Sequence, residues 1–218
     1  MIDWSTIDTV LLDMDGTLLD LHFDNHFWRK HLPERYAELN GLDPAHATIE
    51  LNQRFEREQN TIQWYCTDYW SRELAVDIPA LKREVEHLIA ERPLARALLE
   101  ELGKSGRQRV LITNAHRDSL EIKLKITGID TLLDCLISSH DYGAAKESPA
   151  FWQALQSAMP FEPSRTLFID DSEAVLSAGA DYGIAQLLCI RQPDSKGQAR
   201  KGLRFPAITH FDEILPIG

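Results

Sequence analysis

The sequence lacks the features that mark membrane-spanning, disulfide-rich and nucleic-acid-binding proteins. No apolar run approaches the roughly 18 residues that suggest a membrane span. The three cysteines are isolated from one another and lack metal-ligand spacing, which indicates reduced thiols in a cytosolic protein. The formal net charge of −11 argues against the basic surface that general nucleic-acid binding requires. We therefore expect neither a membrane nor a nucleic acid as a partner, and no motif predicts a protein partner.

The chain also lacks low-complexity tracts, internal repeats and an obvious linker. Residues 1–4 carry no basic segment followed by an apolar stretch, so we expect no secretory signal and a cytoplasmic location. The 218 residues suffice for one large core, or for a core that carries a smaller insertion.

Short apolar runs rich in β-forming residues alternate with helical patterns over much of the chain. The predicted strands cover residues 9–13, 109–113, 135–138, 165–170 and 185–190. Helices are predicted around residues 94–102, 120–126, 150–159 and 172–182, where apolar residues recur on one helical face. Strands that alternate with helices predict an α/β fold with a parallel sheet and helices on both faces.

Residues 21–90 differ from the rest because they contain no convincing strand. Apolar residues recur there at helical spacing, and Pro33, Pro44 and Pro79 divide the segment. We interpret it as an all-helical insertion after the first strand, with residues 1–20 and 91–218 forming the core. Pro93 is expected at the start of a core helix, where proline fits best.

Polar side chains follow several of the predicted strands, where the ligand crevice of an open parallel sheet lies. These residues are Asp13 and Asp15, Thr113 and Asn114, Lys146, and Asp170 and Asp171. A carboxylate at Asp13 can attack phosphorus and form an aspartyl phosphate, which splits one displacement into two easier ones. Asp15 can protonate the leaving oxygen and then deprotonate the attacking water.

Crowded carboxylates that face a phosphate dianion need a compensating charge. Mg²⁺ suits such a site because it prefers a few carboxylates together with substrate phosphate. We favour Asp171 as the direct ligand, with Asp170 acting through water or as a neighbouring acid. Thr113 and Asn114 are expected to hydrogen-bond phosphate oxygens, and Lys146 to neutralise them as a compact point charge.

Taken in order, these segments resemble the four motifs of the haloacid dehalogenase superfamily, and the resemblance covers the whole chain. It implies a Rossmann-like core with a helical cap inserted after the first motif. It also implies that Asp13 is the nucleophile and that Asp15 gives its carbonyl to Mg²⁺ besides its acid–base work. By the same resemblance, Thr113 with Asn114 and Lys146 are expected to bind phosphate. Asp170 with Asp171 is expected to bind the metal.

Further stretches, at residues 24–28, 64–70 and 113–116, are similar to the bacterial GMP/IMP nucleotidases. That resemblance implies a small phosphate ester as substrate, a purine nucleoside 5′-monophosphate. The aromatic residues of 64–70 favour a packed cap core, and stacking on a nucleobase is the alternative role. His116 is expected in the first turn of a helix.

Other reactions on the same scaffold stay open. A sugar-phosphate phosphatase or a phosphomutase would share all the core motifs. Haloalkanoate dehalogenases keep the nucleophile but do not need the acid at Asp15, so its presence favours phosphoryl transfer. Phosphonate hydrolysis would need a Schiff-base lysine, for which Lys30 and Lys82 are the candidates. A binding module that has lost catalysis would not need to keep Asp13 together with Asp15.

Overall fold

The computed structural model describes residues 2–59 and 61–217, and a six-stranded parallel sheet lies at its centre. In chain order the elements are β1 (Thr9–Leu12), α1 (His22–His26), α2 (Leu32–Asn40), α3 (Pro44–Glu58), α4 (Thr67–Leu74), α5 (Ile78–Glu84), α6 (Ala95–Lys104), β2 (Gln108–Thr113), α7 (Arg117–Thr127), β3 (Cys135–Ser138), α8 (Pro149–Ala158), β4 (Thr166–Asp170), α9 (Glu173–Tyr182), β5 (Gln186–Ile190) and β6 (Ala207–Ile208). The strand order is β3-β2-β1-β4-β5-β6, and every pairing is parallel.

Alternate residues of the central strands enter two apolar clusters on opposite faces of the sheet. Val10 and Leu12 of β1 belong to one cluster, which α6 and α7 cover, whereas Leu11 belongs to the other, which α8 and α9 cover. This arrangement follows from the period of two in strand side chains. Both faces are buried, so the strands consist of nearly continuous apolar runs. The predicted α/β class and parallel sheet are therefore confirmed.

Residues 21–90 contain only helical elements in the part that the structure describes. Their side chains form a third apolar cluster, which includes Phe23, Phe27, Phe55 and Trp70 and is joined by Ile122 of α7. Pro33, Pro44 and Pro79 each lie in the first two positions of a helix, where a missing amide hydrogen costs nothing. The insertion follows the first strand, as expected, and the predicted boundaries at residues 20 and 91 stay a prediction.

Several sequence predictions differ from the structure in detail. Asp13 lies just beyond β1, which ends at Leu12. Strand β6 was not predicted, because two residues are too short to show a pattern. The prediction for Pro93 was wrong: α6 begins at Ala95, and Leu94 precedes it with a left-handed φ of 63°.

The helix predicted over residues 172–182 is α9, which runs through Gly179 without a break. A Cβ atom at this position would lie 3.1 Å from Cδ1 of Phe168 on the neighbouring strand β4. The glycine therefore allows the helix to approach the sheet closely. None of the helices in residues 2–59 and 61–217 has the length and apolarity of a membrane-spanning segment.

Candidate active site

The carboxyl ends of β1, β2 and β4 bring the predicted site residues together around Lys146. Its Nζ donates to Asp13 Oδ1 at 2.6 Å, to Asp170 Oδ2 at 2.8 Å and to the Ile112 carbonyl oxygen at 3.1 Å. Lys146, Asp13 and Asp170 are all buried. Although burial opposes the charge, the two carboxylates raise the pKa of Lys146 well above its usual range, so the lysine is an ammonium ion.

Asp13 and Asp171 are two carboxyl groups of this site whose pKa values are raised. Burial raises the pKa of Asp13 although Lys146 opposes it, and Asp170 adds to the rise. Burial, then Asp170 and Asp13, raise the pKa of Asp171. Among the described residues, Oδ2 of Asp13 is buried without a hydrogen-bond partner.

One oxygen atom from each of Asp13, Asp170 and Asp171 lies within 4.8 Å of the other two. A cluster of buried carboxylate oxygens, one of them unpartnered, is the type of donor set that a hard divalent cation binds. The donor set therefore fits Mg²⁺, although which oxygens would bind it stays a prediction. Asp170 also accepts the amide hydrogen of Ser172 at 2.7 Å, which helps to fix its orientation.

Asp15 lies two residues beyond Asp13 and forms a different ion pair. Lys123 Nζ donates to Asp15 Oδ1 and to Asp24 Oδ2, each at 2.6 Å, and Lys82 Nζ donates to Asp24 Oδ1 at 2.9 Å. Burial raises the pKa of Asp15 despite the attraction of Lys123. Lys123 and Lys82 outweigh burial at Asp24 and lower the pKa of that carboxyl to about 2.

The hydroxyl and amide groups at the end of β2 are engaged within the protein. Thr113 Oγ1 accepts the amide hydrogen of Ala115 at 3.0 Å. Asn114 Oδ1 accepts the Lys146 amide hydrogen at 2.9 Å, and its Nδ2 donates to Glu147 Oε2 at 2.9 Å. Asn114 thus fixes the loop that carries Lys146, and the predicted contacts of Thr113 and Asn114 with phosphate stay predictions.

The sequence agrees with known proteins over nearly its full length. The family profile described as haloacid dehalogenase-like hydrolase matches residues 7–183. The chain belongs to this hydrolase family. It is 44% identical over 215 residues to the GMP/IMP nucleotidase YrfG of Escherichia coli K12, covering 99% of this chain and 97% of that protein. The resemblance that the motifs predicted is thereby confirmed.

Two further proteins share less sequence with this chain. The pyrophosphatase PpaX of Bacillus velezensis is 23% identical over 198 residues, which cover 81% of this chain and 80% of that protein. The crystal structure of a HAD phosphatase from Thermococcus onnurineus has a TM-score of 0.78 at 18% identity, with 95% of this chain and 96% of that chain covered. The latter likeness confirms the family's fold for this chain.

A cavity of 510 Å³ extends from the acidic site of this family member to its inserted helices. The core contributes Asp13, Asp15, Thr113, Lys146 and Asp171, among others. The helical segment contributes both aromatic and polar side chains, which are Trp28, Arg29, Asn52, Phe55, Glu56, Gln59 and Trp64, together with Asp24, Asn25, Tyr65, Thr67 and Lys82. The size is typical of a small-molecule site.

The aromatic residues of 64–70 divide between packing and lining roles. Trp70 is fully buried, and its ring packs edge to face against Phe55 with a centroid distance of 4.9 Å. Trp64 packs edge to face against Phe55 at 5.8 Å and also borders the cavity. Tyr65 donates its hydroxyl hydrogen to Glu147 Oε1 at 2.7 Å, which links the helical segment to the loop of Lys146.

Two residues of the site escaped the sequence analysis because nothing local marks them. Lys123 lies in an ordinary amphipathic helix, and its partners Asp24 and Asp15 are 99 and 108 residues away along the chain. Glu147 follows Lys146 directly but gave no signal of its own. His116, expected in a first turn, is the N-cap of α7 instead, and its Nδ1 lies 2.7 Å from Thr67 Oγ1.

Proposed function

We propose that this protein is a Mg²⁺-dependent phosphomonoesterase that forms an aspartyl phosphate on Asp13, with the purine nucleoside monophosphates GMP and IMP as substrates. The observation that carries the proposal is the buried cluster of Asp13, Lys146 and Asp170, in which Oδ2 of Asp13 keeps no partner among the described residues. A phosphatase is the function that this arrangement supports best within the hydrolase family.

The first step is attack by Asp13 on phosphorus. A carboxylate oxygen of Asp13 forms a bond to phosphorus while the bond to the ester oxygen breaks, and Lys146 keeps the attacking carboxyl ionised. Asp15 gives its proton to the departing alcohol oxygen. Because burial raises the pKa of Asp15, the carboxyl is better able to hold that proton near neutral pH.

The second step reverses the role of Asp15. As a carboxylate it removes a proton from water, whose oxygen attacks the phosphorus of the aspartyl phosphate. The bond from phosphorus to Asp13 breaks, which releases inorganic phosphate and restores both aspartates. Mg²⁺ held by the carboxylates of Asp13, Asp170 and Asp171 would supply the charge that neutralises phosphate.

The substrate assignment is supported by the E. coli relative and by the shape of the cavity. The relative named a GMP/IMP nucleotidase is 44% identical to this chain. The cavity extends beyond the acidic site to Trp28, Phe55 and Trp64, so a ligand with its phosphate at Asp13 can place a planar base against aromatic rings. A cytoplasmic location also remains our prediction.

The phosphonate alternative requires a free amine, which Lys82 does not provide. This lysine is buried, forms an ion pair with Asp24, and lies 4.8 Å from the centroid of the Phe27 ring. Burial lowers the pKa of Lys82 against the attraction of Asp24, but its Nζ is held by that carboxylate at 2.9 Å and is not free to attack a substrate carbonyl. The geometry therefore gives no support to Schiff-base chemistry at this position.

Phosphate release from a panel of esters tests the proposed function. The panel contains GMP, IMP, AMP, CMP, glucose 6-phosphate and p-nitrophenyl phosphate, each measured with Mg²⁺ and with EDTA. We expect turnover only with Mg²⁺, and the highest kcat/KM for GMP and IMP. Higher values for a sugar phosphate would contradict the nucleotidase assignment, and no turnover of any ester would contradict the phosphatase assignment.

A further inference from the structure

One face of α3 borders the cavity on the side of the inserted helices. Asn52, Phe55 and Glu56 of α3 line the cavity together with Gln59, which follows the helix, and the spacing of three and four residues from Asn52 places Phe55 and Glu56 on the same side of α3. Phe55 is buried against the aromatic cluster, whereas the three polar side chains are exposed. The face is thus the border between the packed helices and the open cavity.

The polar side chains of α3 and of its neighbours that line this part of the cavity have no partner among the described residues. Within residues 2–59 and 61–217, the side chains of Arg29, Asn52, Glu56 and Gln59 form no hydrogen bond or ion pair. Other acids of the same helix are engaged. Glu50 pairs with Arg54 at 2.6 Å, and Glu58 accepts the Tyr69 hydroxyl hydrogen at 2.8 Å. Hydrogen-bonding capacity therefore remains available where the cavity meets α3.

Aromatic rings stand beside these polar groups. Trp28 packs edge to face against Phe55 with centroids 5.6 Å apart, and Trp64 does so at 5.8 Å. Both tryptophans are partly exposed, and both line the cavity. Such rings offer flat apolar surface for a base, while polar groups next to them read its edge.

We propose that this end of the cavity is a subsite for a 6-oxopurine, in which Glu56 accepts the N1 hydrogen and Arg29 donates to O6. A carboxylate is only an acceptor and a guanidinium is only a donor, so together they match the donor and acceptor of this base edge. A 6-aminopurine presents an acceptor at N1 and a donor at position 6, which reverses the pattern. The subsite rests on the proposed function and names the residues that would select the base.

Conversion of Glu56 to glutamine tests the N1 contact, since the amide can both donate and accept. The matched control is Glu73→Gln, because Glu73 is an exposed glutamate of α4 that does not line the cavity. For each enzyme, kcat/KM is measured with GMP, IMP, AMP and p-nitrophenyl phosphate. We expect Glu56→Gln to lower the ratio of GMP to AMP by at least ~10-fold, with the aryl phosphate rate and the control unchanged.

The outcomes separate failure of the subsite from failure of the proposed function. An unchanged ratio of GMP to AMP in Glu56→Gln overturns the assignment of Glu56. An equal loss of aryl phosphate turnover overturns it as well, because the effect would then not be on base recognition. A wild-type enzyme that hydrolyses the aryl phosphate but does not favour GMP and IMP contradicts the nucleotidase proposal itself.

A second pair of variants tests the O6 contact. Arg29→Met removes the donor, and Arg57→Met alters an exposed arginine of α3 that does not line the cavity. We expect Arg29→Met to lower kcat/KM for GMP and IMP alike, by roughly 10-fold relative to p-nitrophenyl phosphate, while Arg57→Met has no effect. Unchanged GMP and IMP rates in Arg29→Met would overturn the assignment of Arg29.

Discussion

The backbone of Gly16 lies directly against Asp171. Its φ of +90° is in the region that favours glycine, and a Cβ atom there would lie 2.8 Å from Cγ of Asp171 and 2.9 Å from Cβ of Pro193. The glycine therefore meets two demands, a left-handed turn after Asp15 and a close approach to the acidic cluster. A side chain at this position would displace Asp171.

Gly16→Ala is expected to lower kcat at least ~10-fold, since a misplaced site residue has large effects on rate. The matched variant is Gly106→Ala, at a glycine with a φ of +74° and no neighbouring atom within 4 Å of the added Cβ. Both variants should lose roughly 1–2 kcal/mol of stability from backbone strain. Phosphatase assays and urea unfolding distinguish them, and equal activities would contradict a packing role for Gly16.

His140 illustrates how burial couples one residue to pH. Burial, together with the neighbouring ring of His116, lowers its pKa from 6.5 to about 4, while a hydrogen bond with the Asn114 backbone and the carboxylates of Asp141 and Asp68 oppose the shift. The folded protein thus binds fewer protons than the unfolded chain between these two pKa values. The stabilisation is complete above pH 6.5 and is lost as the pH falls towards 4.

We therefore expect the free energy of unfolding to decrease by about 2 kcal/mol more in the wild type than in His140→Gln between pH 7 and pH 5. Urea unfolding at the two pH values measures this difference. His46→Gln serves as the control, because His46 is exposed on α3 and its ring forms no hydrogen bond, ion pair or ring contact with another described residue. An identical pH dependence in all proteins would contradict the depressed pKa of His140.

At the scale of secondary-structure elements, a buried chain of charges joins the inserted helices to the core. Lys123 of α7 pairs with Asp24 of α1 and with Asp15 in the loop after β1, and Lys82 of α5 pairs with Asp24. Both lysines are about 2% exposed, so neither charge is compensated by water. These ion pairs therefore fix α1 and α5 relative to Asp15, the proposed acid–base residue.

Lys123→Met should destabilise the fold by roughly 3–5 kcal/mol, because it leaves Asp15 and Asp24 buried without their shared partner. The same variant should reduce turnover, since Asp15 loses the group that orients it. Lys125→Met, at an exposed lysine of the same helix, is the control for both measurements. If the two variants have the same Tm and the same kcat, the ion pairs of Lys123 with Asp15 and Asp24 have no structural role.

At the scale of the whole molecule, the sequence predicts the carboxyl end of the sheet better than the surroundings of that end. Asp13, Asp170 and Lys146 meet because strand ends in a parallel sheet converge at one edge, which is a topological rule. The ion pairs of Lys123 with Asp15 and Asp24 follow no such rule. Helical periodicity reveals the face of a residue but not a partner 99 or 108 residues away.

Divalent cation binding should also affect the stability of the whole protein. If carboxylates of Asp13, Asp170 and Asp171 hold Mg²⁺, the ion binds the folded state preferentially, adding about 2.7 kcal/mol when its concentration is about 100 times the Kd. Thermal unfolding with and without Mg²⁺ should show a rise in Tm for the wild type that Asp171→Asn lacks. Asp181→Asn, at an exposed aspartate of α9, should keep the rise. If Mg²⁺ raises the Tm of Asp171→Asn as much as that of the wild type, Asp171 is not a ligand of the metal.

Trapping the phosphorylated enzyme tests the central claim most directly. In Asp15→Asn the good leaving group of p-nitrophenyl phosphate still departs without a proton donor, but water is no longer activated, so the covalent intermediate should accumulate. Acid quench followed by peptide mass spectrometry should then locate one phosphoryl group on Asp13, and the double variant Asp13→Asn, Asp15→Asn should carry none. Continued turnover with an unmodified Asp13, or a phosphoryl group on another residue, would contradict the account.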